Sequence, residues 1–438
     1  MKIFPKTFIN QLIAILFFLL LTLTPNPDLK FYVFCLLILL EIFYIFQILA
    51  LKERWFFILF IFGIVSIMSY NSNLNYAVAD RFNYHIYPVS IWDYFAFIVS
   101  FFFGVCCIKN DRKIFLLGCE YFSYIGIFLI VIDVIQSKSY HQHPPVFFNT
   151  NWSGSFIISV LLIAIQSSFS RLQQISLRAN PQKTGFLKFA LAIPCLILLY
   201  CSVFYFLLQT GSRSACISFI LSFSLLLLFY LLKFKKKLGH LIFKSRLNKI
   251  IFFLLIPVAT FIFYWLIKSF DFGNLNINFL TKISNLFDRS NQLRLDIYRC
   301  YFSVFKENIL FGYGIGNVAQ LCEDRLGLGV GDVNHGHNFI LQIAANHGLL
   351  LAIPTIAILV AYLSLSLKYF VYSLREENQE KGLLLTFSLT VTSIIFASFF
   401  QLSIYHVPFL QIWIGLLAGG FTAIASHDIK MVSLNPKD

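Results

Sequence analysis

Apolar runs long enough to cross a lipid bilayer dominate this chain, and they constrain its fold more than any motif. A bilayer core roughly 30 Å thick is spanned by about 20 apolar residues in a helix. In lipid, every backbone polar group must find its partner within the spanning structure. About twelve runs meet that length test: residues 8–24, 31–51, 55–70, 91–108, 114–136, 154–170, 186–209, 215–232, 250–267, 349–371, 383–402 and 407–426. They predict an all-α integral membrane protein of about twelve transmembrane helices. The first run, Phe8–Thr24, follows Lys2 and Lys6 as a signal peptide would. It lacks a convincing small-residue cleavage site and a second run follows at once, so it reads as the first membrane helix.

Charge then orients the helices. Only 12% of residues are charged while 58% are hydrophobic, too little charge to keep a soluble domain dispersed. The net charge of +14 forms no basic stripe of the kind that nucleic-acid binding requires. The lysines and arginines instead occupy short loops between apolar runs. With the N-terminus cytoplasmic, the inner loops hold Lys52/Arg54, Lys109/Arg112/Lys113, Arg171/Arg178/Lys183/Lys188, the run Lys233–Lys249, Lys368/Arg375/Lys381 and Lys430/Lys437. Together with Lys2 and Lys6 that is roughly two-thirds of all Lys and Arg, as the positive-inside rule demands. Both termini are then cytoplasmic, as an even helix count requires.

This topology leaves outer segments at Asn71–Ser90, Ser137–Ser153, Thr210–Ser214 and Ser269–Gly348. No repeat and no linker divides the chain, so residues 1–438 read as one polytopic domain. Residues 269–348 read as one large outer loop between the ninth and tenth expected helices, and loops of that size are usually functional. Within it, Leu293, Ile297, Tyr301, Val304 and Phe305 recur at helical spacing and predict an amphipathic helix over Gln292–Ile309. The helix stops before a glycine-rich turn, Phe311-Gly-Tyr-Gly-Ile-Gly316.

Several polar residues stand out in so apolar a chain. Arg213 ends an outer turn beside Gly211, Ser212 and Ser214, as a clamp for phosphate or as an interfacial anchor. Arg294, near Asp296 and Arg299, reads as a second clamp or as part of a solvated face. His337 follows Gly336 on a glycine-rich loop, and Asn338 can cap the helix Phe339–Asn346. Imidazole as a group titrates near neutrality and suits general-base work. His335 and His337 form an HxH pair near His347, Asp332, Asp324 and Cys322, without an accepted zinc-ligand spacing, so no metal is expected. Of nine cysteines, seven lie in or beside apolar runs. Cys300 and Cys322 lie in the large loop and could pair in an oxidising compartment, two free thiols being the simpler reading. Glu41, Asp93, Glu120 and Asp133 fall in or at the ends of apolar runs, where carboxylates can serve transport. Asn151-Trp152-Ser153 matches a glycosylation sequon, a weak signal at that length.

Four of these segments, in this order, resemble the bacterial O-antigen ligase and O-antigen polymerase family. Phe148-Asn-Thr-Asn-Trp-Ser-Gly154 looks like the family's asparagine-containing segment, with Asn151 within it. Thr210-Gly-Ser-Arg-Ser-Ala215 looks like its serine–arginine motif, carrying Arg213. Arg294 followed by Gly312-Tyr-Gly314-Ile-Gly316 looks like its second arginine and glycine element. His337-Asn338, nine residues and then Gly348 match the ligase pattern, with Leu351 where a small or aromatic residue is usual. The resemblance implies a glycosyltransferase of the bacterial inner membrane, inverting and cofactor-free, its active site periplasmic. The donor it implies is a glycan on undecaprenyl diphosphate, and the acceptor lipid A-core or another surface molecule. His337 would be the catalytic base, Arg213 and Arg294 the diphosphate clamps, and Asn338, Gly312, Gly314, Gly316, Gly348 and Asn151 supporting residues. A repeat-unit polymerase shares these motifs and differs in acceptor. The intramembrane carboxylates leave a transporter as the alternative of another class, although transporter sites are expected near the midplane.

Overall fold

The computed structural model describes residues 6–21, 30–50, 53–54, 57–61, 63, 91–137, 150–178, 200, 203, 207, 212, 214–226, 228–229, 289–328, 333, 336–375, 379–399 and 408–434. Among the described residues every regular element is helical and no strand occurs. In chain order the helices are α1 Lys6–Leu21, α2 Lys30–Ile48, α3 Ile91–Ser137, α4 Thr150–Arg178, α5 Ser214–Leu226, α6 Arg289–Glu307, α7 Asn317–Leu326, α8 Phe339–Arg375, α9 Gln379–Ser398 and α10 Pro408–Leu434. Four stretches, within α3, α8, α9 and α10, are long and apolar enough to cross a membrane. Cys35–Ile48, Gly154–Ser168 and Ser214–Leu226 are shorter apolar helices. The expected runs at 55–70, 186–209 and 250–267 lie wholly or largely outside the described residues.

Two long helices are each two segments joined at a break. In α3 the break is Asp111, with φ −154° and ψ 87°. Its carboxylate caps the second segment by accepting the Ile114 N–H at 3.1 Å and holds Gln11 Nε2 at 2.9 Å. The two runs expected at 91–108 and 114–136 are the two sides of this break. In α8 the break is Gly348, with φ 63° and ψ −164°. It divides a short stub, Phe339–His347, from the expected span that begins at Leu349.

Close packing in lipid depends on small residues that let backbones approach. The α3–α10 contact is built that way. A β-carbon on Gly419 would stand 2.0 Å from the Phe101 carbonyl oxygen, and one on Gly415 2.5 Å from that of Phe97. Across the contact, a β-carbon on Gly104 would stand 2.5 Å from the Leu416 carbonyl oxygen. Trp413, Phe421 and Phe387 fill the buried centre around it.

Polar contacts join segment ends that the charge pattern assigns to one membrane side. Lys109 pairs with Glu53, Arg112 with Asp428, and Arg171 with Glu120 at 2.7 Å. Gln11 meets Asp111 on that same side. At the other side, Gly154 packs on Ser212 and Ala215, and the Phe339 and Phe399 rings meet edge to face.

Candidate functional site

The site begins with α6, whose buried stripe is Ile297, Cys300, Tyr301 and Val304. This is the expected amphipathic helix, displaced to Arg289–Glu307. Leu293, expected on the buried stripe, is instead exposed. The stripe packs on Val318 and Cys322 of α7, on Val333 and on Ala345 of α8, forming a small core separate from the membrane bundle. A disulfide joins Cys300 to Cys322, so the free-thiol reading is corrected. Sequence could not decide this, because the pairing depends on how α7 folds back onto α6. The disulfide also removes Cys322 from the conceivable metal set. No group of three potential metal-ligating side chains occurs among the described residues, and His335 and Asp332 lie outside them.

On this core sits the loop that carries His337. Val333 N–H donates to the buried Glu323 carboxylate at 3.1 Å, and Gly336 N–H donates to Gln342 Oε1 at 2.6 Å. Gly336 packs against the Tyr301 ring, where an added β-carbon would stand 2.9 Å from a ring atom. His337 is the one non-glycine residue with positive φ, 49°, among the described residues. A side chain in that region costs about 1–2 kcal/mol and persists only where the surroundings impose it. Here they do. The Tyr298 hydroxyl donates to the His337 carbonyl at 3.3 Å. Asn338 caps the following helix as expected, its Oδ1 accepting the Leu341 N–H at 3.0 Å.

Tyr298 also brings Arg294 to the site. It lies one helical turn after Arg294 on the same face of α6. Burial pushes the Tyr298 phenol above its ordinary range, and the Arg294 guanidinium pulls it partly back. One tyrosine thus touches the backbone of the candidate base and neighbours a candidate clamp. Tyr298 and Gln342 were not recognised in the sequence; a tyrosine on an amphipathic helix gives no signal until its partner, distant along the chain, is known.

The glycines have a sharper role than turn formation. Gly314 N–H donates to the Asn346 carbonyl at 2.8 Å, and Tyr313 N–H to that of Ala345 at 3.0 Å. Leu349 N–H donates to Ile309 O at 2.8 Å and Leu350 N–H to Leu310 O at 3.3 Å. The Gly312–Gly316 turn is therefore zipped along the break in α8. Gly312 has φ 68°, and a β-carbon there would stand 2.4 Å from the Asn346 carbonyl carbon. At Gly348 it would stand 2.2 Å from Leu310 O. Gly314 and Gly316 also hold positive φ, and Gly316 stands at the N-cap of α7.

Arg213 lies outside the described residues, but its neighbours do not. Buried Ser212 opens α5, its Oγ accepting the Ala215 N–H at 3.3 Å. Gly154, in the first turns of α4, packs on Ser212 and Ala215, its β-carbon position 2.8 Å from that of Ala215. The segment holding Asn151 thus abuts the turn holding Arg213. Of the intramembrane carboxylates, Glu120 is paired with Arg171, and buried Glu41 accepts Ser100 Oγ at 2.7 Å.

Residues 196–356 match the family model described as O-antigen ligase, which supports the O-antigen ligase and polymerase family for this chain. The matched segment takes in Arg213, Arg294, the glycine turn, His337, Asn338 and Gly348, and leaves Asn151 outside. No curated protein matches the chain.

Proposed function

We propose that this chain, a multi-pass membrane protein carrying an O-antigen ligase domain, transfers a glycan from undecaprenyl diphosphate to an acceptor at the periplasmic face. In this reading an acceptor hydroxyl attacks the anomeric carbon, and the bond from that carbon to the diphosphate oxygen breaks with inversion. His337 takes the hydroxyl proton. Arg294 and Arg213 balance the charge that grows on the departing diphosphate, a task for which guanidinium geometry is suited. The observation that carries the reading is the placement of Tyr298, one helical turn from Arg294 on α6 and bonded to the His337 backbone. The strained backbone of His337 adds support, since strain clusters at working residues. The Cys300–Cys322 disulfide is in keeping with an oxidising compartment outside the cytoplasm.

The test is the surface-polysaccharide profile of a strain lacking the chain, complemented with the native sequence or with His337→Ala. Loss of glycan from the lipid A-core, with polymer retained on undecaprenyl diphosphate, identifies a ligase. A core bearing a single repeat unit identifies a polymerase. A profile that His337→Ala restores to normal overturns the proposed role of the base.

A further inference from the structure

We infer that the loop after α6, residues 308–311, forms a membrane-inserted tip, seated in the lipid leaflet beside the site with the exposed face of α6 at headgroup level. The observations start with α8. Lys368 marks one end of its span, and the roughly 20 residues needed to cross the hydrocarbon, counted back from there, end at Leu349. The flank of this span is exposed from its first turn onward, with Leu350, Ile353, Ile356 and Ile358 all presented outward. Such a surface faces lipid. Leu349 and Leu350 are therefore at the hydrocarbon boundary, and their N–H groups bond to the carbonyls of Ile309 and Leu310. The loop is held at that depth by its own backbone.

What the loop displays at that depth is apolar. Ile309 is 45% exposed and Leu310 58%. Asn308 closes the loop, its carbonyl accepting the Gly312 N–H at 2.9 Å and its Nδ2 donating to the Gly312 carbonyl at 2.6 Å, so the tip is a fixed shape. The exposed side of α6 continues the surface: Leu295, Arg299, Phe302 and Lys306 recur at one helical face, the two apolar residues exposed. Lys306 Nζ stands 4.5 Å over the Phe302 ring. A face that alternates exposed apolar side chains with cations is what an interfacial helix presents, the rings toward acyl chains and the cations toward phosphate. Exposed leucine and isoleucine at this height would otherwise meet water. The occupant is thus the bilayer itself, continuous with the lipid that covers α8. If the transferase reading holds, the same seating puts Arg294 and His337 near headgroup level, where the diphosphate of a lipid-linked donor lies.

Tryptophan placed at the tip reads this directly. Leu310→Trp, and separately Ile309→Trp, would be reconstituted as full-length chain in vesicles containing phospholipids brominated along the acyl chain. Fluorescence is taken by difference from the parent chain. The expected result is a blue-shifted emission, quenched several-fold more by bromines near the glycerol end than by bromines near the chain terminus, and little by aqueous iodide. Quenching by iodide and not by bromine would put the tip in water and overturn the inference. Quenching by neither would mean a protein covers it, and would overturn it equally. Because the readout is depth and not transfer, it stands or falls separately from the proposed activity.

Discussion

At His337 the backbone and the imidazole can be separated by experiment. Its left-handed φ would suit glycine, so His337→Gly removes the side chain while easing the main chain. The expected outcome is a melting temperature close to that of the parent, with glycan transfer abolished. A large fall in melting temperature would make the imidazole a structural part. Tyr298→Phe deletes one hydrogen bond to the His337 carbonyl, worth about 1 kcal/mol, and should slow transfer about fivefold. That change belongs in kcat, with the pH profile unmoved, because the base itself is intact. Local physics is what the sequence discloses at this scale. Asn338 was legible as a cap because its partner is three residues away, whereas Tyr298 was not, because its partner is 39 away. The arginines were legible only as cations in an apolar chain, and the neighbour of Arg294 had to come from the fold.

The α6–α7 pair shows how an element is held once it leaves the bundle. Glu307 accepts both Arg325 guanidinium nitrogens, at 2.7 and 2.8 Å, and the bonds hold its carboxyl at about 2 against an ordinary value of 4.5. A depressed folded value means the pair supports the fold above pH 4.5 and loses that support as pH falls toward 2. Carbon-detected NMR of labelled glutamate should show Glu307 titrating below the other exposed carboxyls, and in Arg325→Gln it should titrate with them. The contribution to stability is small because both side chains face water. The disulfide is the larger restraint. Closing a loop across a separation of 22 residues contributes about 3 kcal/mol in the chain-entropy account. Replacing both cysteines by serine should lower the melting temperature of the purified protein and increase protease cutting between α6 and α7, with the membrane bundle left intact. The amphipathic period gave α6 to within three residues at its start, yet misjudged Leu293, because period fixes which side is apolar and not how far along it the partner extends.

Across the whole molecule, the all-helical, apolar character was the most legible feature, since a run of apolar residues has few alternatives in lipid; among the described residues four stretches are long and apolar enough to cross a membrane. Their contacts were not legible. The fit of Gly415 and Gly419 against α3 involves a second helix more than 300 residues earlier, so the glycines read in sequence only as small residues. Gly419→Ile would drive a branched side chain into the Phe101 carbonyl, and the protein should fail to accumulate as a monodisperse species in detergent chromatography, whereas an exposed control such as Leu367→Ile should be unaffected. Orientation is tested by a reporter fused after Lys237, expected to read cytoplasm; a periplasmic signal would invert the assigned sides. The stub Phe339–His347 ties these scales together. One end is fixed by the capped turn on α6 and the other by the glycine zip to the membrane span. It behaves as a ruler, and its length in residues is a setting. One residue inserted within it would turn its two ends about 100° relative to each other and separate them by about 1.5 Å, so neither attachment could be kept without breaking the other. Spacing between the histidine and the glycine should therefore tolerate substitution and refuse insertion.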